Sequence, residues 1–153
     1  LSTVNNENIC VIDIVRGSSQ IDISTRPGST FPLHATAQGK IALAFGPDSW
    51  RQELFKIPLE KFTACTVINA DDLSKEIERV RLQRWAIAPE EITMGINALA
   101  APILDHQNQL VGTISIITSI YELTKKPSKE QINAIKDAAL RVSVGIGHIL
   151  KES

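Results

Sequence analysis

The sequence predicts an α+β domain, a mainly antiparallel sheet with helices packed against it. Three observations carry this. Apolar runs of strand length occur as an early pair and a later group joined by short polar turns. Three helical patterns lie together between those groups, and a fourth closes the chain. Nowhere do strands and helices alternate singly, as a parallel βαβ sheet requires. With 153 residues, one domain buries roughly two thirds of the surface that its unfolded chain exposes.

Each element has a local cause. Asn8 to Val15 is an apolar run ended by Arg16-Gly17-Ser18-Ser19, and Gln20 to Ser24 alternates polar and apolar residues, so a β-hairpin is expected there. Arg26-Pro27-Gly28-Ser29 is a turn, because proline fixes φ and glycine tolerates φ above zero. From Ala35 the period changes, and Ala37, Ile41, Leu43, Ala44 and Phe45 give a compact helix ending near Gly46-Pro47. Pro47 suits the first position of a second helix reaching Leu54 or Phe55. Asp71 to Arg84 is a third, with acids early and Arg79, Arg81 and Arg84 late, as its dipole favours. Leu73, Ile77 and Val80, with Leu82 or Trp85, form its apolar side.

Trp85 to Ala88 reads as a short strand and Ile96 to Leu104 as a longer one. After the polar loop 105–109, Leu110 to Thr118 has the β-branched density of a central strand. Pro127-Ser128-Lys129-Glu130-Gln131 opens the last helix with capping-box spacing. Its apolar stripe of Ile132, Ile135, Ala139, Val142, Ile146 and Ile149 must pack on something.

Composition excludes several functions. Sixteen Lys and Arg balance seventeen Asp and Glu, and the cations are scattered, so this chain is not expected to grip DNA through its phosphates. No apolar run approaches the about 18 residues that a membrane span needs, and no signal-peptide pattern is present. A cytoplasmic protein is expected, with no membrane partner. Cys10 and Cys65 form no C-x-x-C, and His34, His106 and His148 match no metal-ligand spacing. No metal or other cofactor is expected. There is no G-x-S-x-G, phosphate loop or suitably placed acid pair, so no catalytic residue is assigned.

Two segments stand out: Thr30-Phe31-Pro32-Leu33-His34-Ala35-Thr36-Ala37-Gln38-Gly39-Lys40, and Gly95-Ile96-Asn97-Ala98-Leu99-Ala100-Ala101-Pro102-Ile103-Leu104-Asp105. Thr36 and the Ala37 and Gln38 amides sit at an expected helix start, where free N–H groups and the dipole attract a carboxylate. Read without any resemblance, the same segment is equally a packed loop and helix start. With Phe62-Thr63-Ala64-Cys65-Thr66, these segments resemble the effector-binding domain of the IclR family of bacterial transcription regulators, and the resemblance runs over nearly the whole chain. It implies a GAF/PAS-like fold over residues 1–153, a small organic-acid effector, a homodimer or tetramer, and DNA contact only through a winged helix-turn-helix domain preceding this segment. The chain's start at Leu1 fits an excised piece.

Carried over residue by residue, the resemblance places the effector site at Ile23, Phe31, Thr36, Ala37, Gln38, Ala88, Ile96, Ala98, Ser115 and Ile117. Ala88 stands where the family's small-oxoacid sensors are expected to have Asp, Ala98 where Cys occurs, and Ile117 where a second Ser would follow Ser115. The loss of three polar partners predicts a larger or more apolar acid than glyoxylate, with aromatic acids included. Glu90 and Glu91 offer either an acid at the pocket mouth or a solvated strand end. Asn97 is expected on the opposite strand face, and His34 is expected to make a structural hydrogen bond. Two other readings stay open: a ligand-free interaction module of the same fold, and a GAF-type sulfoxide reductase using Cys10 or Cys65.

Overall fold

A computed structural model of the chain describes residues 1–5, 8–17 and 25–149. Its elements are β1 (Ser2–Val4), β2 (Asn8–Val11), β3 (Thr30–Pro32), α1 (Ala37–Phe45), α2 (Asp48–Leu54), α3 (Ala70–Gln83), β4 (Ala86–Pro89), β5 (Ile96–Leu104), β6 (Leu110–Ser119) and α4 (Lys129–Gly145). The strands form one sheet in the order β3-β2-β1-β6-β5-β4, antiparallel at every pairing. The expected α+β architecture is therefore present, with helices on both faces of the sheet.

The central ribbon is β5 with β6, in register from Ile96↔Ser119 to Leu104↔Leu110 with an irregularity at Ile103/Leu104. Successive β5 residues serve opposite faces. Ala98 and Ala100 face α1, while Leu99, Ala101 and Ile103 join Ile135 and Ala139 of α4 in a second core. The small side chains on the first face let α1 approach closely. That helix is enclosed on all sides, every residue from Ala37 to Ala44 being buried, which explains why its sequence lacks an amphipathic stripe. Behind it lies α3, contributing Leu73, Ile77 and Val80 at helical spacing.

Caps fix the helix ends. Asn69 accepts the Asp71 and Asp72 amides at 2.9 and 3.1 Å, and Arg84 closes α3 in the left-handed region at φ 61°. The capping box of Ser128 and Gln131 is formed in both directions. Of the stripe on α4, Ile135 and Ala139 are buried, whereas Ile146 and Ile149 are exposed. On α3 Leu82 is exposed, and Trp85 packs on the α4 core instead.

The N-terminal strands differ from expectation. The run from Asn8 is a strand only to Val11, and its neighbours in the sheet are β1 and β3. Gln20 to Ser24, the expected hairpin partner, lies outside the described residues. The sequence pattern does not predict β1 or β3. Each spans only three residues, too few to show a period of two, and β3 lay inside what read as a loop. Pro47 is the N-cap of α2 rather than its first helical residue. No described helix is long and apolar enough to cross a membrane.

Candidate functional site: a cavity between α1 and the β5–β6 ribbon

A cavity of about 270 Å³ opens between the start of α1, β3 and the far end of the central ribbon. Its described lining is Thr25, Phe31, Ala35, Thr36, Gln38, Ala88, Ile92, Thr93, Ile96, Ala98 and Ile117. Three alanines, Ala35 in the turn before α1, Ala88 on β4 and Ala98 on β5, leave the space open, since a larger side chain at any of them would project into it. Phe31, Ile92, Ile96 and Ile117 supply apolar walls. None of the described lining residues is charged.

The polar end is the first turn of α1. Thr36, in extended conformation, accepts the Gly39 amide at 3.0 Å and donates its hydroxyl proton to the Pro32 carbonyl at 2.9 Å. Its side chain is thus committed to capping. The Ala37 and Gln38 N–H groups have no intrahelical acceptor at these positions. No acidic residue occupies the first turn, so no side chain of that turn offsets the positive end of the helix dipole. Gln38 is buried and its Nε2 donates to Ser115 Oγ at 2.9 Å, across to β6.

Gly39 makes this approach possible. A Cβ there would stand 2.0 Å from the Leu33 carbonyl oxygen, so only glycine lets the first turn of α1 seat against the loop that carries Leu33. Beside that loop His34 bonds the Glu60 carbonyl through Nε2 at 2.8 Å and stacks on Phe62 at 5.9 Å. That is the structural hydrogen bond expected of it.

Of the residues singled out in the sequence, Phe31, Thr36, Gln38, Ala88, Ile96, Ala98 and Ile117 line this one cavity. Ser115 does not line it and reaches it through Gln38. The Ala37 side chain belongs to the core, and only its backbone is at the helix mouth. Ile23 lies outside the described residues. The sequence does not single out Thr25, Ala35, Ile92 and Thr93 as lining, because nothing in the motifs separates them from their neighbours.

The acidic pair is neither of the expected things. Glu91 is enclosed, and its Oε1 accepts from the equally enclosed Lys40; burial pushes its carboxyl above the usual glutamate range, against the pull of Lys40. Glu90 accepts the Gly95 amide at 3.1 Å and pairs with Lys125 at 3.4 Å. Neither lines the cavity. Asn97 does face away from it: its Nδ2 donates to the Leu123 carbonyl at 2.7 Å, and its Oδ1 accepts the Glu90 amide at 3.0 Å. Among the described residues no cluster of His, Cys, Asp and Glu could hold a metal. Cys10 and Cys65 are half-buried free thiols, and neither lines the cavity.

Residues 1–144 match the family model for the bacterial transcriptional regulator IclR C-terminal domain. The probable transcriptional regulator SauR of Cupriavidus necator is 30% identical over 125 residues, covering 81% of this chain and 50% of its own. IclR of Thermotoga maritima superposes with a TM-score of 0.88 at 30% identity, over 96% of this chain and 60% of that one. An IclR homologue of Microbacterium hydrocarbonoxydans, complexed with 4-hydroxybenzoate, has the same fold at 16% identity, with a TM-score of 0.84 over 95% and 58% of the two chains. The chain spans about half the length of the curated relatives it matches. The overall fold is thus shared with these proteins, and the chain belongs to the IclR family of bacterial transcriptional regulators as their C-terminal domain.

Proposed function

We propose that this domain senses a small organic acid with an apolar, preferentially aromatic, body, which it binds in the cavity through Phe31, Thr36, Ala37, Gln38, Ala88, Ile96, Ala98 and Ile117, with Ser115 orienting Gln38. The observation that carries the reading is the pairing of an uncharged, apolar-walled hollow with a helix N-terminus whose first turn carries no acid. A carboxylate gains from the free amides and dipole there, while a ring gains from burial against Phe31 and the isoleucines. The volume of about 270 Å³ lies just below the usual range for ligand pockets, about 300 Å³ and upward, as suits a small acid. The Microbacterium relative, complexed with 4-hydroxybenzoate, supports a ligand of this class.

Glyoxylate fits such a cavity poorly. It is small and strongly hydrated, and each charge-assisted bond the site cannot return costs roughly 1.5–3 kcal/mol. Neither a thiol nor a carboxylate stands among the described lining residues, which favours binding over catalysis. The ligand would act by preferring one arrangement of the segment from Thr25 to Gly39, because equal affinity for two arrangements shifts neither. In a dimer of the full-length cytoplasmic regulator, that preference would alter the spacing of two DNA-reading helices. Titration calorimetry with benzoate, 4-hydroxybenzoate, pyruvate and glyoxylate tests the reading. Aromatic acids are expected to bind tightest, and micromolar glyoxylate binding without aromatic binding would overturn it.

A further inference from the structure

Lys40 leaves the second turn of α1 and ends almost completely enclosed among oxygens. Its Nζ donates to Glu76 Oε2 of α3 at 2.6 Å and to Glu91 Oε1, and lies 3.5 Å from the Ile87 carbonyl. The Glu91 side chain is as buried as that of Lys40, and its Oε2 has no hydrogen-bond partner. One enclosed and one partly exposed carboxylate therefore share one enclosed ammonium, an arrangement whose desolvation is repaid only by close pairing. A surface pair could form and break at little cost; this one cannot.

The segment carrying Glu91 is otherwise strained and braced. Glu90 sits in the left-handed region at φ 55°, a conformation that a non-glycine residue keeps only where its surroundings over-determine it. Thr63 Oγ1 donates to the Glu90 carbonyl and Thr66 Oγ1 to the Glu91 carbonyl, both at 2.7 Å. Thr66 Oγ1 in turn accepts the Phe62 and Thr63 amides at 3.1 and 2.9 Å. The next two residues, Ile92 and Thr93, are cavity wall. Of these restraints, the only one that joins the segment to α1 is the bond to Lys40, four residues along from Thr36.

We propose that Lys40, Glu91 and Glu76 form a positioning clamp that holds the Ile92–Thr93 wall against the first turns of α1, so that ligand affinity depends on the Glu91 side chain. Its ligand part rests on the reading given under Proposed function. The groups that face Glu91 are Lys40 from α1, Glu76 from α3 with Arg79 3.9 Å beyond it, and the Val67 backbone from the turn after Thr63. Burial raises the Glu91 carboxyl, Lys40 and the Val67 amide lower it, and Glu76 raises it further. Substitution that removes the Glu91 charge loosens the tie between the wall and Lys40. The ammonium then pairs with the partly exposed Glu76, drawing toward α3.

Hydrogen–deuterium exchange on the chain, with and without 4-hydroxybenzoate, tests this. In Glu91→Gln, which keeps the shape and removes the charge, the amides of residues 90–95 should lose protection roughly two- to thirty-fold, with the dissociation constant for 4-hydroxybenzoate rising by a similar factor. Protection in α3 should be unchanged. Unchanged protection of residues 90–95 in Glu91→Gln overturns the clamp, as does lost protection with unchanged affinity. If 4-hydroxybenzoate and the other acids fail to bind even the unsubstituted protein, the sensing proposal fails, and the ligand-free exchange still decides the clamp.

Discussion

The Gln38 amide spans from the first turn of α1 to β6, donating to Ser115 Oγ at 2.9 Å, so one buried side chain of the cavity lining ties α1 to the central ribbon. Ser115→Ala should leave the fold intact at a cost of about 0.5–1.5 kcal/mol, the net worth of one such bond. It should also weaken aromatic-acid binding, because Gln38 is released from its orientation. Urea unfolding and calorimetry on the same preparation measure both.

Two caps of similar chemistry should behave differently. Thr36→Ala and Ser128→Ala each remove a side-chain cap and should each cost about 1 kcal/mol by denaturant unfolding. Only Thr36→Ala should reduce acid binding, since Ser128 opens α4, away from the cavity lining. Equal losses of affinity would show that the helix mouth has no special part.

Gly39→Ala should be among the most damaging single methyl additions in the chain. The new Cβ meets backbone, the Leu33 carbonyl, rather than a side chain that could swing away. A cost of about 3 kcal/mol, the upper end for overpacking, is expected in the unfolding midpoint. Gly145→Ala, where nothing lies within 4 Å of the added carbon, is the control and should be neutral or slightly stabilising.

The buried charges should respond asymmetrically to substitution and to pH. Lys40→Met strands two carboxylates and should cost about 3–5 kcal/mol. Glu91→Gln keeps Lys40 paired with Glu76 and should cost far less. Because burial raises the Glu91 carboxyl in the fold, the folded state holds its proton more tightly than the unfolded chain does. The stability that this contributes is fully present below the ordinary glutamate range and is lost as pH rises through the raised value. Glu91→Gln should abolish that component. Thermal unfolding of both proteins between acid and neutral pH checks the sign.

Legibility of the sequence followed the strength of its periods. The β5–β6 ribbon, α3 and the capping box of α4 could be read because alternation, a three-four stripe and a Ser-x-x-Gln spacing each have one structural solution. The three-residue strands β1 and β3 could not, since their pairing comes from register with β2 rather than from their own pattern. Within the site, the family-like segments brought Phe31, Thr36, Gln38, Ile96 and Ile117 to a common hollow. They did not disclose that Lys40 and Glu91 are enclosed, because a lysine and a pair of glutamates ordinarily signal a wet surface. Nor did they separate Ile92 and Thr93 from a polar loop. Those placements follow from the clasp of Thr63 and Thr66 on the segment at Glu90, a contact between residues 25 or more apart.

The most direct test of the sensing reading is an amide chemical-shift titration of the labelled domain with 4-hydroxybenzoate. Saturating shifts centred on Phe31, Gln38, Ile96 and Ile117, with glyoxylate producing none at the same concentration, are the predicted result. Shifts confined to another face of the domain, or a response to glyoxylate alone, would contradict it.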